Sequence, residues 1–190
     1  MKILVARSPE EINFAYEKLS VAENLGCDTE TSSLSVRYGK LFSVQFSDGD
    51  FNVLVPISEG VALGKLAGIL ENPSITKIFH NARFDMEFLR ENGYQAQTVF
   101  DTMIAEKVLT KGAGQSASLA ETLYRYFAVD LEKSHRAKFT KNWDGDWTSD
   151  LVNYALQDVV FLPELKKEQQ LWLERLGLTG EYEKLLKKII

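Results

Sequence analysis

The stretch Gly26-Cys27-Asp28-Thr29-Glu30-Thr31 comes at the end of a run, Asn24 to Asp28, that is typical of a buried strand. Alternate residues of a strand point to the same face, so Asp28 and Glu30 are expected to project side by side. Two ionised carboxylates this close repel each other unless a positive charge lies between them. A D-x-E pair is common by chance, and its meaning depends on whether the rest of the chain supplies partners.

The composition is that of an ordinary globular protein. With 190 residues, 45% of them hydrophobic, we expect residues 1–190 to form a single domain. A single cysteine, Cys27, excludes an intrachain disulfide, and two histidines leave no zinc cluster. The N-terminus turns polar too soon for a signal peptide, and no apolar run reaches the roughly 20 residues of a spanning helix. We therefore expect a cytoplasmic protein without membrane contact.

The net charge of −5 bears on the class of partner. It argues against a protein that holds nucleic acid by a broad basic surface. It does not argue against an enzyme whose acidic pocket is neutralised by a divalent metal ion.

The hydrophobic pattern predicts an α/β protein. Strands are expected at 2–6, 24–28, 41–47, 51–56, 76–80 and 99–100. Helices are expected from Ser8-Pro9 onward and at 59–71, 82–91, 102–109, 118–127, 148–176 and 181–190. Antiparallel strands joined by the turn Asp48-Gly49-Asp50, followed by alternating strands and helices, imply a mixed sheet with helices on both faces.

A second group of polar residues lies where a predicted strand ends at His80 and a helix begins. Asn81 is well placed to cap that helix, and Asp85 lies about one turn into it. Strand ends and helix starts gather along one edge of such a sheet, so Asp85 would approach the Asp28 and Glu30 pair. The alternative is that Asp85 is an ordinary first-turn acid favoured by the helix dipole.

A third group is Tyr154-Ala155-Leu156-Gln157-Asp158. Four residues apart on a helix, the phenol and the carboxylate lie on one face. The neighbouring apolar residues suggest that this region packs against the body of the protein. The alternative is a surface aspartate with a tyrosine at the edge of the core.

Together, Asp28, Glu30, Asp85 and Asp158 are four oxygen ligands without a histidine. This set suits Mg²⁺ or Mn²⁺ and disfavours zinc or copper. Two such ions, roughly 3.5–4 Å apart, are a common device for hydrolysing phosphodiesters. The phenol of Tyr154 would orient the attacking water by a hydrogen bond. With its usual pKa of about 10, it is a poor candidate for a strong base.

The three groups, Asp28-Thr29-Glu30, Asn81-x-x-Phe84-Asp85 and Tyr154-x-x-x-Asp158, resemble the three motifs of the DEDD superfamily of 3′–5′ exonucleases, in its tyrosine subgroup. The stretch from Asp28 to Leu34 looks most like the proofreading domain of family A (polymerase I-type) DNA polymerases. The stretch Leu131-Glu132-Lys133-Ser134 is also similar to ribonuclease D.

The resemblance implies a ribonuclease H-like fold with a five-stranded mixed sheet flanked by helices. It also implies that Asp28, Glu30 and Asp158 hold a first metal ion, and that Asp28 bridges to a second one. Asp85 would reach the second ion through water, and Tyr154 would position the nucleophilic water.

Substrate contacts are expected outside the acidic set. They involve Thr29, Leu34, Asn81, Phe84 and Lys133. By the resemblance, Leu34 would wedge against the terminal base, and Asn81 and Phe84 would line the pocket for the last nucleotides. Lys133 is the best candidate for a phosphate contact in the basic cluster that ends at Lys141, although such a cluster is usually a solvated loop.

Four other residue types carry structural expectations. Cys27 is expected in the core, and the two histidines, His80 and His135, are expected to be structural. Asp101 is read as a helix cap. Trp147 would either stack on a base or pack in the core.

The function expected from the sequence is a metal-dependent 3′–5′ exonuclease using two Mg²⁺ or Mn²⁺ ions. It would release nucleoside monophosphates from single-stranded or frayed 3′ ends of DNA, in proofreading, with a DNA polymerase domain or subunit as a candidate partner. RNA is the alternative substrate, for a ribonuclease D-like enzyme. The other alternative is a non-catalytic scaffold that binds nucleic acid.

Overall fold

The computed structural model describes residues 2–131, 138–140 and 142–189. Within them, six strands form one mixed sheet. They are β1 (Lys2–Val5), β2 (Asn24–Thr31), β3 (Leu41–Ser47), β4 (Phe51–Val55), β5 (Thr76–Phe79) and β6 (Val99–Asp101). The spatial order is β1-β4-β3-β2-β5-β6, with β3 antiparallel to both of its neighbours and the other pairs parallel.

The mixed α/β architecture predicted from the sequence is confirmed, with one correction to the strand number. The family resemblance implied five strands, whereas this sheet has six. The short strand β6 pairs in parallel with β5, and its residue Asp101 lies opposite Phe79. The hydrophobic pattern had indicated this strand at residues 99–100.

Eight α-helices are present in the described residues. They are α1 (Pro9–Leu19), α2 (Leu66–Glu71), α3 (Ala82–Glu91), α4 (Thr102–Leu109), α5 (Leu119–Phe127), α6 (Ser149–Val160), α7 (Leu162–Arg175) and α8 (Thr179–Leu186). The start of α1 is a capping box, as its sequence predicts: the Ser8 hydroxyl accepts from the N–H of Glu11, and the Glu11 carboxylate accepts from the N–H of Ser8. No helix in this part of the chain is long and apolar enough to cross a membrane.

Two predicted helices are wrong in their extent. Residues 59–71 are not one helix, because the 3₁₀ turn Ile57–Glu59 ends at Gly60 in the left-handed conformation, and α2 begins only at Leu66. Residues 148–176 are divided at Phe161 into α6 and α7. Pro163 lies in the first turn of α7 and lacks the N–H that would continue the ladder of α6.

The two faces of the sheet bury separate hydrophobic clusters. One cluster contains the buried side chains of α1, α2 and α3, and it includes Cys27, which has no exposed surface, as expected. The other contains those of α4, α6 and α7. Leu25 and Cys27 of β2 belong to the first cluster, so Gly26, Asp28 and Glu30 face the second.

Close packing of α6 on β2 depends on Gly26. A Cβ atom at this position would lie 2.3 Å from the main-chain oxygen of Val159 and 3.1 Å from Cβ of Leu162. Any larger residue would therefore push α6 away from the sheet. Because Gly26 and Asp28 share a face of β2 and Asp158 directly precedes Val159, this close approach brings the two aspartates together.

Candidate active site

A cavity of about 600 Å³ opens where β2 ends and α3 begins. Nine of the ten residues predicted for the site line it: Asp28, Thr29, Glu30, Leu34, Asn81, Phe84, Asp85, Tyr154 and Asp158. The tenth, Lys133, lies outside the described residues, as does His135. The fold thus brings together three motifs that are separated by up to about 130 positions in the chain, and their individual roles stay predictions.

Asp28 and Glu30 are held by regular strand pairing. Their partners across β2 and β3 are Gln45 and Ser43, and the register shifts directly after Glu30. The pKa of Asp28 is raised well above its usual range, first by burial and then by the negative charges of Asp85, Asp158 and Glu30. The cavity therefore concentrates negative charge in a place where water screens it poorly.

Asp85 lies in the first turn of α3 and is 1% exposed. Burial raises its pKa to about 7, while the hydrogen bond from Thr29 acts in the opposite direction. The Thr29 hydroxyl donates to Oδ1 of Asp85 at 2.7 Å. The substrate contact predicted for Thr29 stays a prediction, and in the structure its hydroxyl supports the carboxylate of Asp85.

Asn81 lies at the N-cap position of α3, as predicted, but it does not cap the helix with its side chain. Asn81 has a left-handed backbone (φ 76°), and its side chain makes no capping hydrogen bond. The Asp101 carboxylate caps α3 instead, accepting from the N–H groups of Asn81 (3.3 Å) and Ala82 (2.8 Å). The same carboxylate caps α4, as predicted, by accepting from Met103 and Ile104 at 2.8 and 3.0 Å. The sequence therefore identified Asp101 as the cap of α4, but it gave no sign that the same carboxylate also caps α3.

His80 lies in the cavity wall, and the expectation of a structural role agrees with its surroundings. Its Nδ1 lies 2.9 Å from the hydroxyl oxygen of Thr102 at the start of α4. Burial lowers the pKa of His80 to about 4, so the ring is neutral at physiological pH. A neutral ring here leaves the acidic character of the cavity intact.

The apolar part of the cavity is formed by side chains from separate elements. Leu34 is 77% exposed at the rim, just beyond β2, and Phe84 packs on Phe88 with the ring centroids 5.1 Å apart. Phe139 also lines the cavity, although it falls in a region that the sequence had indicated only as irregular. For Trp147, the core alternative is confirmed, since the side chain is 5% exposed.

The donor set fits a hard divalent cation. Carboxylate oxygens are the ligands that Mg²⁺ and Mn²⁺ prefer, and a cation would relieve the repulsion that helps to raise the pKa of Asp28. Among the described residues, no group of three or more acidic, histidine or cysteine side chains is already drawn together at ligating distances. The four carboxylates nevertheless line the same cavity.

Comparison with known proteins decides the family. A profile described as 3′–5′ exonuclease matches residues 5–174, which contain all three motifs. The chain belongs to this 3′–5′ exonuclease family. Its relatives include ribonuclease D and the exonuclease part of family A DNA polymerases, so the resemblance to the DEDD superfamily is confirmed.

Proteins similar to this chain in sequence and in structure differ in kind. Ribonuclease D of Jannaschia sp. is 31% identical over 85% of this chain, and the chain spans 42% of that relative's length. The DNA polymerase of Escherichia phage T5 is 28% identical over 76% of this chain, and the match spans 20% of the polymerase's length. The structure of Brucella melitensis NrnC with bound Mg²⁺ is 29% identical, with a TM-score of 0.80, covering 100% of this chain and 90% of NrnC. The structure of NrnC bound to pGG is 30% identical, with a TM-score of 0.82 and the same coverage of both chains.

The raised pKa values of the exonuclease carboxyls predict a stability change with pH. Without metal, the melting temperature should fall as the pH rises from about 6.5 to about 8. Asp85 and Asp28 have raised pKa values in the folded state, so their stabilisation is complete below the unfolded pKa and is lost as pH rises through the folded one. Thermal unfolding in EDTA across this window measures the effect, and saturating Mg²⁺ should remove most of it.

Two other groups set the limits of that window. The lowered pKa of His80 makes stability rise with pH, but only below about 6.5, where the unfolded chain takes up a proton. The pKa of Lys77 is lowered to about 8, so Lys77 also makes stability rise with pH, but above the window. Asp85→Asn should flatten the dependence between the two limits. A melting temperature that stays constant or rises across the window in the wild-type protein would contradict the shifts.

Proposed function

We propose that the protein is a divalent-metal-dependent exonuclease that removes nucleoside monophosphates one at a time from the 3′ end of RNA. The observation that carries this proposal is the single cavity that collects Asp28, Glu30, Asp85, Tyr154 and Asp158. A scaffold that only binds nucleic acid has no use for four acids in one cavity, since they repel a phosphate backbone unless metal ions are present.

The preference for RNA rests on the relatives. Ribonuclease D of Jannaschia sp., at 31% identity, is a closer match than the phage T5 DNA polymerase, at 28%. These names favour the ribonuclease alternative over the DNA proofreading function expected from the first motif. The polymerase relative keeps a DNA 3′ end as the second candidate substrate, and association with a polymerase is a proposal tied to that candidate.

The residues divide the work as follows. Asp28, Glu30 and Asp158 would hold one Mg²⁺ or Mn²⁺ ion, and Asp28 and Asp85 a second. Bound there, the ions would acidify a water molecule and neutralise charge on the phosphate. The Tyr154 phenol orients that water by a hydrogen bond. We also propose that residues 1–190 act as one exonuclease domain, because both hydrophobic clusters are built on the same sheet.

The apolar rim would select unpaired bases over a duplex. Leu34 and Phe84 offer contacts for the faces of unstacked bases, which a single-stranded or frayed terminus supplies. A cavity of about 600 Å³ lies within the usual range for small-ligand sites and is too small for a duplex. Single-stranded or frayed ends are therefore expected to be cleaved in preference to paired ones.

The test is digestion of matched 5′-labelled single strands of RNA and DNA, and of pGG, with Mg²⁺, Mn²⁺ or EDTA. We expect a ladder that shortens from the 3′ end of RNA, nucleoside monophosphates as products, no reaction in EDTA, and at least about a tenfold slower reaction on DNA. A faster reaction on DNA would move the assignment to proofreading. No cleavage of any substrate with either metal would reject the nuclease.

A further inference from the structure

Five aromatic side chains form a cluster beside the cavity. This aromatic cluster consists of Phe42, Phe139, Trp143, Trp147 and Tyr154. Phe139 is its centre: the ring centroid of Phe139 lies 6.4 Å from Phe42, 5.2 Å from Trp143, 5.5 Å from Trp147 and 6.0 Å from Tyr154. Phe139 and Tyr154 both line the cavity.

The aromatic cluster is attached to the sheet and not only to α6. Trp143 packs edge-on against Phe42 of β3, with centroids 4.8 Å apart. Trp147 is 5% exposed, and its indole Nε1 donates to the Ser58 hydroxyl at 3.3 Å. Phe139 therefore contacts Tyr154 from a group of rings that is also attached to β3, through Phe42, and to the 3₁₀ turn, through Ser58.

The phenol of Tyr154 needs such a contact because a helix fixes only its Cα and Cβ atoms. The ring still rotates about two side-chain bonds unless neighbours restrict it. Phe139 is 7% exposed and Tyr154 is 9% exposed, and their ring centroids lie 6.0 Å apart, so solvent has little access to either ring. Displacement of a catalytic group by about 1 Å can cost up to about 10²-fold in rate.

We propose that Phe139 is a positioning residue for Tyr154, holding the phenol in the orientation that presents it to the cavity. The inference rests on the proposed function, since it gives the tyrosine a role in orienting water. Phe139 itself takes no part in the chemistry. Its effect on turnover passes through the ring of Tyr154.

A matched control exists elsewhere in the same hydrophobic cluster. Phe100 is also 7% exposed and packs on another buried tyrosine, Tyr182, with the centroids 4.9 Å apart and the same interplanar angle of 33°. Neither Phe100 nor Tyr182 lines the cavity. Phe100→Leu therefore removes an equivalent ring contact without touching the site.

The kinetic test compares Phe139→Leu, Phe139→Tyr and Phe100→Leu in wild-type and Tyr154→Phe backgrounds. Phe139→Leu should lower kcat about tenfold with KM little changed, Phe139→Tyr should keep most of kcat, and Phe100→Leu should leave kcat unchanged. In the Tyr154→Phe background, Phe139→Leu should change kcat less than about twofold, because the group it positions is gone. Equal losses in both backgrounds, or a rise in KM alone, would overturn the proposal.

A second measurement needs no substrate. In protein with ¹³C-labelled tyrosine rings, the Tyr154 signal is assigned by its disappearance in Tyr154→Phe. Phe139→Leu should shift or broaden that signal, and Phe100→Leu should not. An unmoved signal would overturn the inference even if the enzyme is active. Inactive wild-type protein with a shifted signal would instead reject the proposed function and support the positioning contact.

Discussion

Replacing Asp28 with asparagine should lower exonuclease turnover by about 10³-fold or more and, in EDTA, raise the melting temperature. The loss of rate corresponds to about 4 kcal/mol of transition-state stabilisation, the scale expected when a ligand shared by two metal ions is removed. The gain in stability has a different cause. Burial and the charges of Asp85, Asp158 and Glu30 raise the pKa of Asp28, so an uncharged side chain relieves the metal-free protein.

The opposite signs are what make this variant informative. Single-turnover digestion of RNA measures the rate, and thermal unfolding in EDTA measures the stability. Asp50→Asn is the matched control, since it makes the same chemical change at an exposed position in the β3–β4 turn and should alter neither quantity. If Asp28→Asn digested RNA at the wild-type rate, Asp28 could not be a metal ligand. If it melted at a lower temperature, the repulsion inferred in the cavity would be wrong.

Replacing Asp101 with alanine should lower the free energy of unfolding by about 2–4 kcal/mol, because one carboxylate caps two helices. Four N–H groups, at the starts of α3 and α4, donate to it, and Asp101 has no exposed surface. No water replaces the lost acceptor without rearrangement. Because α3 carries Asp85, exonuclease activity should fall as well.

Urea denaturation measures this effect, with Ser118→Ala as the control. Ser118 caps only α5, by accepting from the N–H of Glu121 at 3.4 Å, and its loss should cost no more than about 1 kcal/mol. Asp101→Asn keeps an acceptor oxygen, so its loss of unfolding free energy should lie between those of Asp101→Ala and Ser118→Ala. A cost for Asp101→Ala no larger than that for Ser118→Ala would show that the double cap does not stabilise the fold.

Much of the fold was predictable because its signals are local. The capping box at Ser8, the turn at Gly49 and the strand–helix alternation each depend on a few neighbouring residues, and all three are present. The errors in helix extent came where a single residue interrupts a continuous hydrophobic pattern. Pro163 divides an otherwise continuous helical pattern, and Gly60 ends a turn that hydrophobicity alone had extended into a helix.

The sequence by itself determined the family and identified the candidate acidic residues. Each carboxylate motif consists of residues that are close in the chain and lie on one strand or one stretch of helix, so its pattern is visible without the fold. Only the tertiary structure decided how those motifs meet. Gly26 admits α6 close to β2, Asp101 ties the start of α3 to α4, and Phe139 reaches Tyr154 from another part of the chain. These contacts join residues that are distant in sequence, and no local pattern encodes a distance between two such residues.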